Sequence, residues 1–528
     1  MLSAMPEKSK RQTGRKRRIA AYVVIFVLLL LAALLYTVSA YKRKHFGDAQ
    51  VDEILFYMSN GLADGHTANF IDGIRDNILL FLILFFLLLL PVVDFYRDRI
   101  VIYFKLGRRK NWAFNPSRMP MWPKLIYAVF IFLVSLWWLL SSFYFMDYLK
   151  SLSQSSQLFE DHYIDPKGVK LEFPARKRNL VYIYMESMEN TLGSREHGGQ
   201  MKPSRIPELE ALALDPANIQ FSNKPSGLGG SVPATGTTWT VAAMSAQSSG
   251  VPLKNSLFGL GQNDQGALRY FLPGSYGVGD VLEDAGYNQT FIMGSKATFG
   301  GRDKLLGQHG DYRILDHDSL VKLGKLAPDY SVWWGFEDRK LFEFAREEAV
   351  RLASEDKPFN LQLLTADTHF SDGYLDPTCP TPYQRQYDNV WACSSARVAE
   401  FVAWLQRQPF AKDTTIILTG DHLGMQTEYY DAIVAAPGYQ RTVYNVFINS
   451  ALTTERSRSR LFSSFDMYPT TLAALGVRIP GEQLGLGVNL FSDERTLIEQ
   501  YGSLEAFNAE LGKRSAYYDR RIIAGESE

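Results

Sequence analysis

Cysteine is scarce: the 528 residues hold two. That number excludes a disulfide-dense scaffold and any zinc site built from four thiolates. A surplus of one charge is missing as well, with 56 Lys+Arg against 56 Asp+Glu. The balance argues against a dedicated nucleic-acid binder, which carries a basic excess. No internal repeat or low-complexity block is present. With 46% apolar and 21% charged residues, the chain is not a largely disordered one. Its length suggests about three units at roughly 150 residues each.

The N-terminal third is rich in uncharged apolar sequence. Ile19–Tyr41 runs for 23 residues without a charge, Asn77–Val93 for 17 and Leu125–Met146 for 22. Crossing the hydrocarbon core takes about 20 apolar residues. The runs predict three transmembrane helices at about 19–41, 77–95 and 125–146, with Pro91 near the end of the second. The first run exceeds the roughly 7–15 residues of a signal-peptide core, so it is expected to stay as an anchor. Lys8, Lys10, Arg11, Arg15, Lys16, Arg17 and Arg18 precede the first span, and a second basic flank runs from Arg97 to Lys124. The loop at 42–76 has four basic and six acidic residues. Basic flanks stay in the cytoplasm. Three crossings would then put everything after Asp147 outside.

Residues 147–177 are polar and mixed and read as a stalk or linker. From 178 to 528 the pattern is α/β, with short β-branched and aromatic runs between amphipathic stretches. Expected strands are Leu180–Met185, Gln289–Met293, Phe359–Leu364 and Thr414–Leu418, and expected helices include Arg339–Ala353 and Ser394–Arg407. Three strands are followed closely by polar groups: Glu186, then Asp367 with His369, then Asp421 with His422. Open α/β sheets bind ligands beyond the carboxyl ends of their strands. Several such tips could converge on one crevice.

Asp421 and His422 follow Thr419-Gly420, and carboxylate beside imidazole suits a divalent ion such as Mn²⁺ or Zn²⁺. The plainer alternative is a capping Asp beside a surface His. Glu186 directly follows an apolar strand, where an unpaired buried carboxylate is costly. Its plainer role would be to cap the next turn, but Glu is not a favoured N-cap. In 227–253, Gly, Ser and Pro give way to Val241-Ala242-Ala243-Met244, which looks like a helix start. Thr235, Thr237, Thr238 and Thr240 sit at that transition. A helix N-terminus favours phosphate, and a threonine there can act as a nucleophile beside a metal. Equally, such threonines cap helices without chemistry. Composition does not choose among the four.

These segments together resemble the membrane-bound phosphoglycerol transferases of the alkaline phosphatase and sulfatase superfamily, in their phosphoglycerol transferase I and lipoteichoic acid synthase-like branches. The resemblance covers about 175–490. NLVYIYMESMENT is similar to the segment carrying an acidic metal ligand, which falls on Glu186. GTTWTVAAM is similar to the nucleophile segment, and the family spacing to the methionine selects Thr237 as nucleophile and metal ligand. FGGRD resembles a head-group segment and implies that Arg302 binds substrate, although lipoteichoic acid synthase has an aromatic near Gly300. YSVWWGFED is similar to a WG-x-x-D signature with a structural Asp338. LLTADTHFSDGY implies a substrate-side histidine at His369, and LTGDHLGM an Asp-His metal pair at Asp421 and His422. FDMYPTTLAALG, around Asp466 and Pro469, looks more like the lipoteichoic acid synthase side.

The implied fold is an alkaline phosphatase/sulfatase-like domain, with a central mixed sheet flanked by helices, behind the membrane helices. The implied reaction moves phosphoglycerol from phosphatidylglycerol to a cell-envelope glycan or glycerophosphate polymer through a phospho-threonine intermediate. One divalent metal is implied, Mn²⁺ first, with Zn²⁺ or Mg²⁺ as alternatives. The expected place is the cytoplasmic membrane, with the catalytic domain outside and no nucleic-acid partner. The resemblance also implies a disulfide between Cys379 and Cys393, which an oxidising compartment permits. Cys379-Pro380-Thr381 lacks the proline spacing of a C-x-P-x-R sulfatase nucleophile. A phosphoethanolamine transferase and a phosphodiesterase are the enzymatic alternatives. A non-catalytic lipid- or polymer-binding protein is the alternative of another class.

Overall fold

The computed structural model describes residues 7–46, 66–92, 102–106, 110–114, 120–254 and 269–526. They form two compact units, one ending at Met146 and the other running from Asp147.

The N-terminal unit holds α1 (Glu7–Phe46), α2 (His66–Leu89), a hairpin of β1 (Ile102–Leu106) and β2 (Lys110–Phe114), and α3 (Met121–Ser142). Lys16–Lys44 and Met121–Ser142 are long and apolar enough to cross a bilayer. The described apolar part of α2 is shorter, Asn77–Leu89. This helix stops before Pro91, whose ring and missing N–H cannot continue it. Residues 93–95 of the expected second span, and Arg97, Arg99, Arg108, Arg109 and Arg118 of the basic flank after it, lie outside the described residues. Ile25, Leu29, Val92 and Ala128 form a small buried cluster, and the Lys124 ammonium donates to Val92 O at 2.9 Å.

The second unit is built on six strands: β3 (Asn179–Met185), β4 (Asn288–Met293), β5 (Arg313–Leu315), β6 (Phe359–Leu364), β7 (Thr414–Gly420) and β8 (Asn445–Ile448). Their order is β5-β4-β6-β3-β7-β8. All pairs are parallel except β7 with β8, so the sheet is mixed. Parallel strands covered on both faces read as continuous apolar runs, and β6 and β7 are buried throughout. Alternation along β3 divides the core. Leu180, Tyr182 and Tyr184 enter one cluster, and Val181, Ile183 and Met185 enter the other. The main flanking helices are α4 (Thr240–Ser249), α5 (Asp338–Ala353) and α6 (Gln386–Gln406). α6 begins eight residues before its expected start at Ser394, because Tyr387, Asn389, Val390 and Trp391 are buried on its first turns.

The expectation of a linker at 147–177 needs correction. Leu158, Phe159 and Tyr163 join the large core cluster, Ile164 pairs with Gly485, and Glu172 pairs with Arg478. Apolar side chains in a polar-looking segment found a place in the core, and that tertiary burial overrides local composition.

Candidate metal centre

Strand register makes the centre. β3 and β7 are parallel neighbours with Met185 opposite Gly420. The next residues, Glu186 and Asp421-His422, therefore leave the sheet side by side. β6 lies on the other side of β3, with Leu364 opposite Tyr184. Thr365 N donates to Tyr184 O, and the Thr365 hydroxyl accepts from Glu186 N at 3.0 Å. The Thr368 hydroxyl then donates to Glu186 O at 2.6 Å.

Glu186, Asp421 and His422 are all buried, and one ligand atom from each lies within 4.8 Å of the others. His422 Nδ1 is 2.8 Å from Leu423 O, so it carries the proton and donates. Nε2 consequently turns its lone pair to Asp421 Oδ2 at 3.4 Å and Glu186 Oε1 at 3.6 Å. Asp421 Oδ1 accepts from Ser187 N and His422 N, but Oδ2 is buried without a hydrogen-bond partner. That buried oxygen, facing another carboxylate and the unprotonated side of an imidazole, lacks a positive charge. The donor set fits a divalent cation bound by N and O ligands. Burial, with the Glu186 charge as the next cause, pushes the Asp421 carboxyl up to about 7.

Ser187 ties the carboxylates together. Its N–H goes to Asp421 Oδ1 at 2.7 Å and its hydroxyl to Glu186 Oε1 at 2.7 Å. It does so at φ 56°, in the left-handed region. Neither motif nor composition singles out this serine; the strain is visible only in the backbone.

The hydroxyl that meets the cluster is Thr240's. Its Oγ1 is 3.3 Å from Glu186 Oε2 and 3.4 Å from His422 Nε2. Thr240 is the first residue of α4, whose N-terminal N–H groups and dipole favour an anion. The placement expected for Thr237 is corrected here. Its side chain is buried and its hydroxyl donates to Ala234 O at 2.9 Å, closing a local turn. Thr237 lies before the helix, while Thr240 starts it. Adjacency to Val241, the first apolar residue of the helix, is the sequence signal that would have selected Thr240.

His369 and Arg302 stand within electrostatic reach of the cluster. His369 Nδ1 donates to Phe370 O at 2.8 Å, and the ring packs 4.5 Å from Trp334 between centroids. Burial holds its pKa down, to about 4, so the imidazole is neutral. Arg302 donates to Phe299 O and Lys296 O and is buried. Burial lowers its pKa to about 10, against the raising influence of Glu186, and it stays charged. Cys379 and Cys393 are joined as a disulfide with Cα atoms 5.6 Å apart. Asp466 has a local task, accepting from Ser463 N and Val488 N.

The sulfatase family profile matches residues 178–477. Phosphoglycerol transferase I of Salmonella paratyphi B and of Salmonella typhi are each 32% identical over 261 residues. That match covers 48% of this chain and 32% of the relative, so the chain spans about a third of the length of the curated relatives it matches. Among solved structures, the lipoteichoic acid synthase LtaP of Listeria monocytogenes is 16% identical with a TM-score of 0.46, covering 62% of this chain and 79% of that one. The lipooligosaccharide phosphoethanolamine transferase EptA of Neisseria meningitidis is 15% identical with a TM-score of 0.48, covering 85% and 84%.

Proposed function

The chain belongs to the sulfatase family, and from that premise we propose that it is a metal-dependent transferase that moves phosphoglycerol from phosphatidylglycerol to a cell-envelope glycan or glycerophosphate polymer. The carrying observation is the Thr240 hydroxyl at a helix start, 3.3 Å from Glu186 Oε2 and 3.4 Å from His422 Nε2. Similarity to phosphoglycerol transferase I supports the donor.

Glu186, Asp421, His422 and Thr240 would hold one divalent cation, Mn²⁺ in this reading. When bound, it lowers the hydroxyl pKa and neutralises charge on phosphoryl oxygens. Thr240 Oγ1 gives its proton to solvent and attacks phosphorus, the bond to the diacylglycerol oxygen breaks, that oxygen takes up a proton to leave as diacylglycerol, and phosphoglyceryl-Thr240 remains. The α4 N-terminus faces the developing negative charge. Arg302 adds a fixed positive charge on the head-group side. Neutral His369, with Nδ1 committed to Phe370 O, offers Nε2 to a hydroxyl proton. In the second half an acceptor hydroxyl gives its proton to His369 Nε2 and attacks phosphorus, the bond from phosphorus to Thr240 Oγ1 breaks, and Oγ1 takes up a proton.

The apolar helices α1 and α3 would keep the domain beside its lipid donor. With α2 counted as a third crossing, the basic residues ahead of the first span would put the N-terminus in the cytoplasm and the catalytic unit outside. The disulfide agrees with an oxidising compartment.

Mass spectrometry of the Thr240 peptide, after incubation with phosphatidylglycerol and Mn²⁺, tests the reading. A phosphoglycerol adduct on Thr240 is expected. An adduct-free peptide alongside released diacylglycerol would refute the nucleophile.

A further inference from the structure

Thr240 belongs to a helix, whereas its three neighbours in the cluster sit at strand ends. The helix must therefore be held at a set distance from the sheet. One buried side chain touches all three elements. Gln247 lies on α4, seven residues after Thr240. Seven residues are about two turns, so the two side chains leave the same face, roughly 10 Å apart along the axis.

Gln247 Nε2 donates to Gly420 O at 3.0 Å and to Asp421 O at 3.3 Å. Its Oε1 accepts from the Tyr182 hydroxyl at 2.8 Å. Gly420 closes β7 just before the Asp421-His422 pair, and Tyr182 sits in β3, which leads into Glu186. Both amide hydrogens and the carbonyl are used, and flipping the amide would set its oxygen against two carbonyl oxygens. Behind the strand end there is no slack. A Cβ added at Gly420 would meet Met188 O at 2.0 Å. β7 is thus backed by chain on one side and tied to α4 on the other.

We propose that Gln247 is a positioning residue that sets the reach of the Thr240 hydroxyl into the Glu186–Asp421–His422 cluster. The inference rests on Thr240 being the nucleophile. Gln247 touches no reacting atom and acts through the helix. A reacting group misplaced by about 1 Å can cost on the order of a hundredfold in rate. The metal ligands themselves have other tethers: Asp421 N donates to Met185 O, and Ser187 bridges both carboxylates. Loss of Gln247 should therefore slow chemistry without emptying the cation site.

The test uses the full chain in detergent, as Gln247→Met and as Tyr182→Phe. Methionine keeps the length and volume but removes every hydrogen bond. Tyr182→Phe removes one anchor and leaves the amide, and it carries the same test if Gln247→Met does not fold. Three readouts are needed: the single-turnover rate of adduct formation from phosphatidylglycerol, the Mn²⁺ dissociation constant by calorimetry, and Tm. For Gln247→Met the adduct rate should fall by about tenfold or more, and for Tyr182→Phe by about two- to fivefold. KM for the lipid and the Mn²⁺ dissociation constant should stay within about threefold. An unchanged adduct rate with a lowered Tm would reduce Gln247 to packing and overturn the proposal. An equal loss of Mn²⁺ affinity would overturn it too, by making Gln247 an organiser of the ligands. Failure of the nucleophile reading shows separately, as an adduct on another threonine in the unsubstituted chain.

Discussion

Asp338 and Asp367 hold each other's backbone. Asp338 Oδ1 accepts from Ala366 N at 2.7 Å and Oδ2 from Asp367 N at 3.2 Å. In return Asp367 Oδ1 accepts from Asp338 N at 3.1 Å, while Arg397 donates to Asp367 Oδ2 at 3.2 Å. The turn fixed in this way leads directly to His369. The WG-x-x-D aspartate is thus a clamp between the start of α5 and the loop after β6.

That pair sets a pH dependence. Burial, and then the Asp338 charge, push the Asp367 carboxyl up, and burial also raises Asp338. A raised carboxyl pKa means that the folded state binds the proton more tightly than the unfolded chain. The resulting stabilisation is present below the ordinary carboxyl range, near 4, and declines as pH rises. Asp367→Asn should cost about 1–3 kcal/mol at pH 5, because an amide nitrogen replaces the oxygen that accepts from Arg397. The penalty should shrink by pH 9, since the unsubstituted chain has by then lost the proton-linked part. Thermal melts at both pH values check it, and a penalty that grows with pH would contradict the assignment.

Thr240→Ala and Thr237→Ala separate chemistry from folding. Thr240→Ala should abolish the adduct and reduce diacylglycerol release by about a thousandfold or more, with a near-normal Tm. Thr237→Ala should cost about 1 kcal/mol of stability, from the lost bond to Ala234 O, and keep turnover within a few-fold. The opposite ranking in a lipid-release assay would return the nucleophile to Thr237.

Removing metal should stop the reaction and also loosen the fold. Chelation is expected to abolish diacylglycerol release, and added Mn²⁺ to restore it and raise Tm by linkage. Asp421→Asn should make the metal-free protein more stable, since it removes one of the facing buried charges. The same change should erase the Mn²⁺-induced rise in Tm. If the variant kept the full rise, Asp421 would not be a ligand.

Ser187 separates strain from bonding. Its φ of 56° costs a residue with a Cβ about 1–2 kcal/mol, and glycine avoids that cost. Ser187→Gly should therefore be about 1 kcal/mol more stable than Ser187→Ala, although both lose the hydroxyl to Glu186. Both variants should bind Mn²⁺ more weakly than the unsubstituted chain by about tenfold. Denaturant midpoints and calorimetric titration give the two answers, and Ser187→Ala equalling Ser187→Gly in stability would show that the backbone strain carries no cost.

Much of this protein was legible from local pattern. The apolar runs of β3, β6 and β7 and the amphipathic stretch of α5 came out within a few residues, because two-sided burial and helical periodicity are written in consecutive side chains. Glu186, Asp421 and His422 stood out because polar groups directly after buried strands are costly unless they work. Three further matters were settled only by tertiary structure. The pairing of Met185 with Gly420 decided that residues 235 positions apart would share one cluster, and register between distant strands depends on the whole sheet. The start of α4 decided that Thr240 and not Thr237 faces Glu186, since a shift of three residues carries a hydroxyl from the helix start back into a turn. Packing against the C-terminal segments decided that Leu158, Phe159 and Tyr163 enter the core, because burial is a property of what closes over a segment and not of the segment alone.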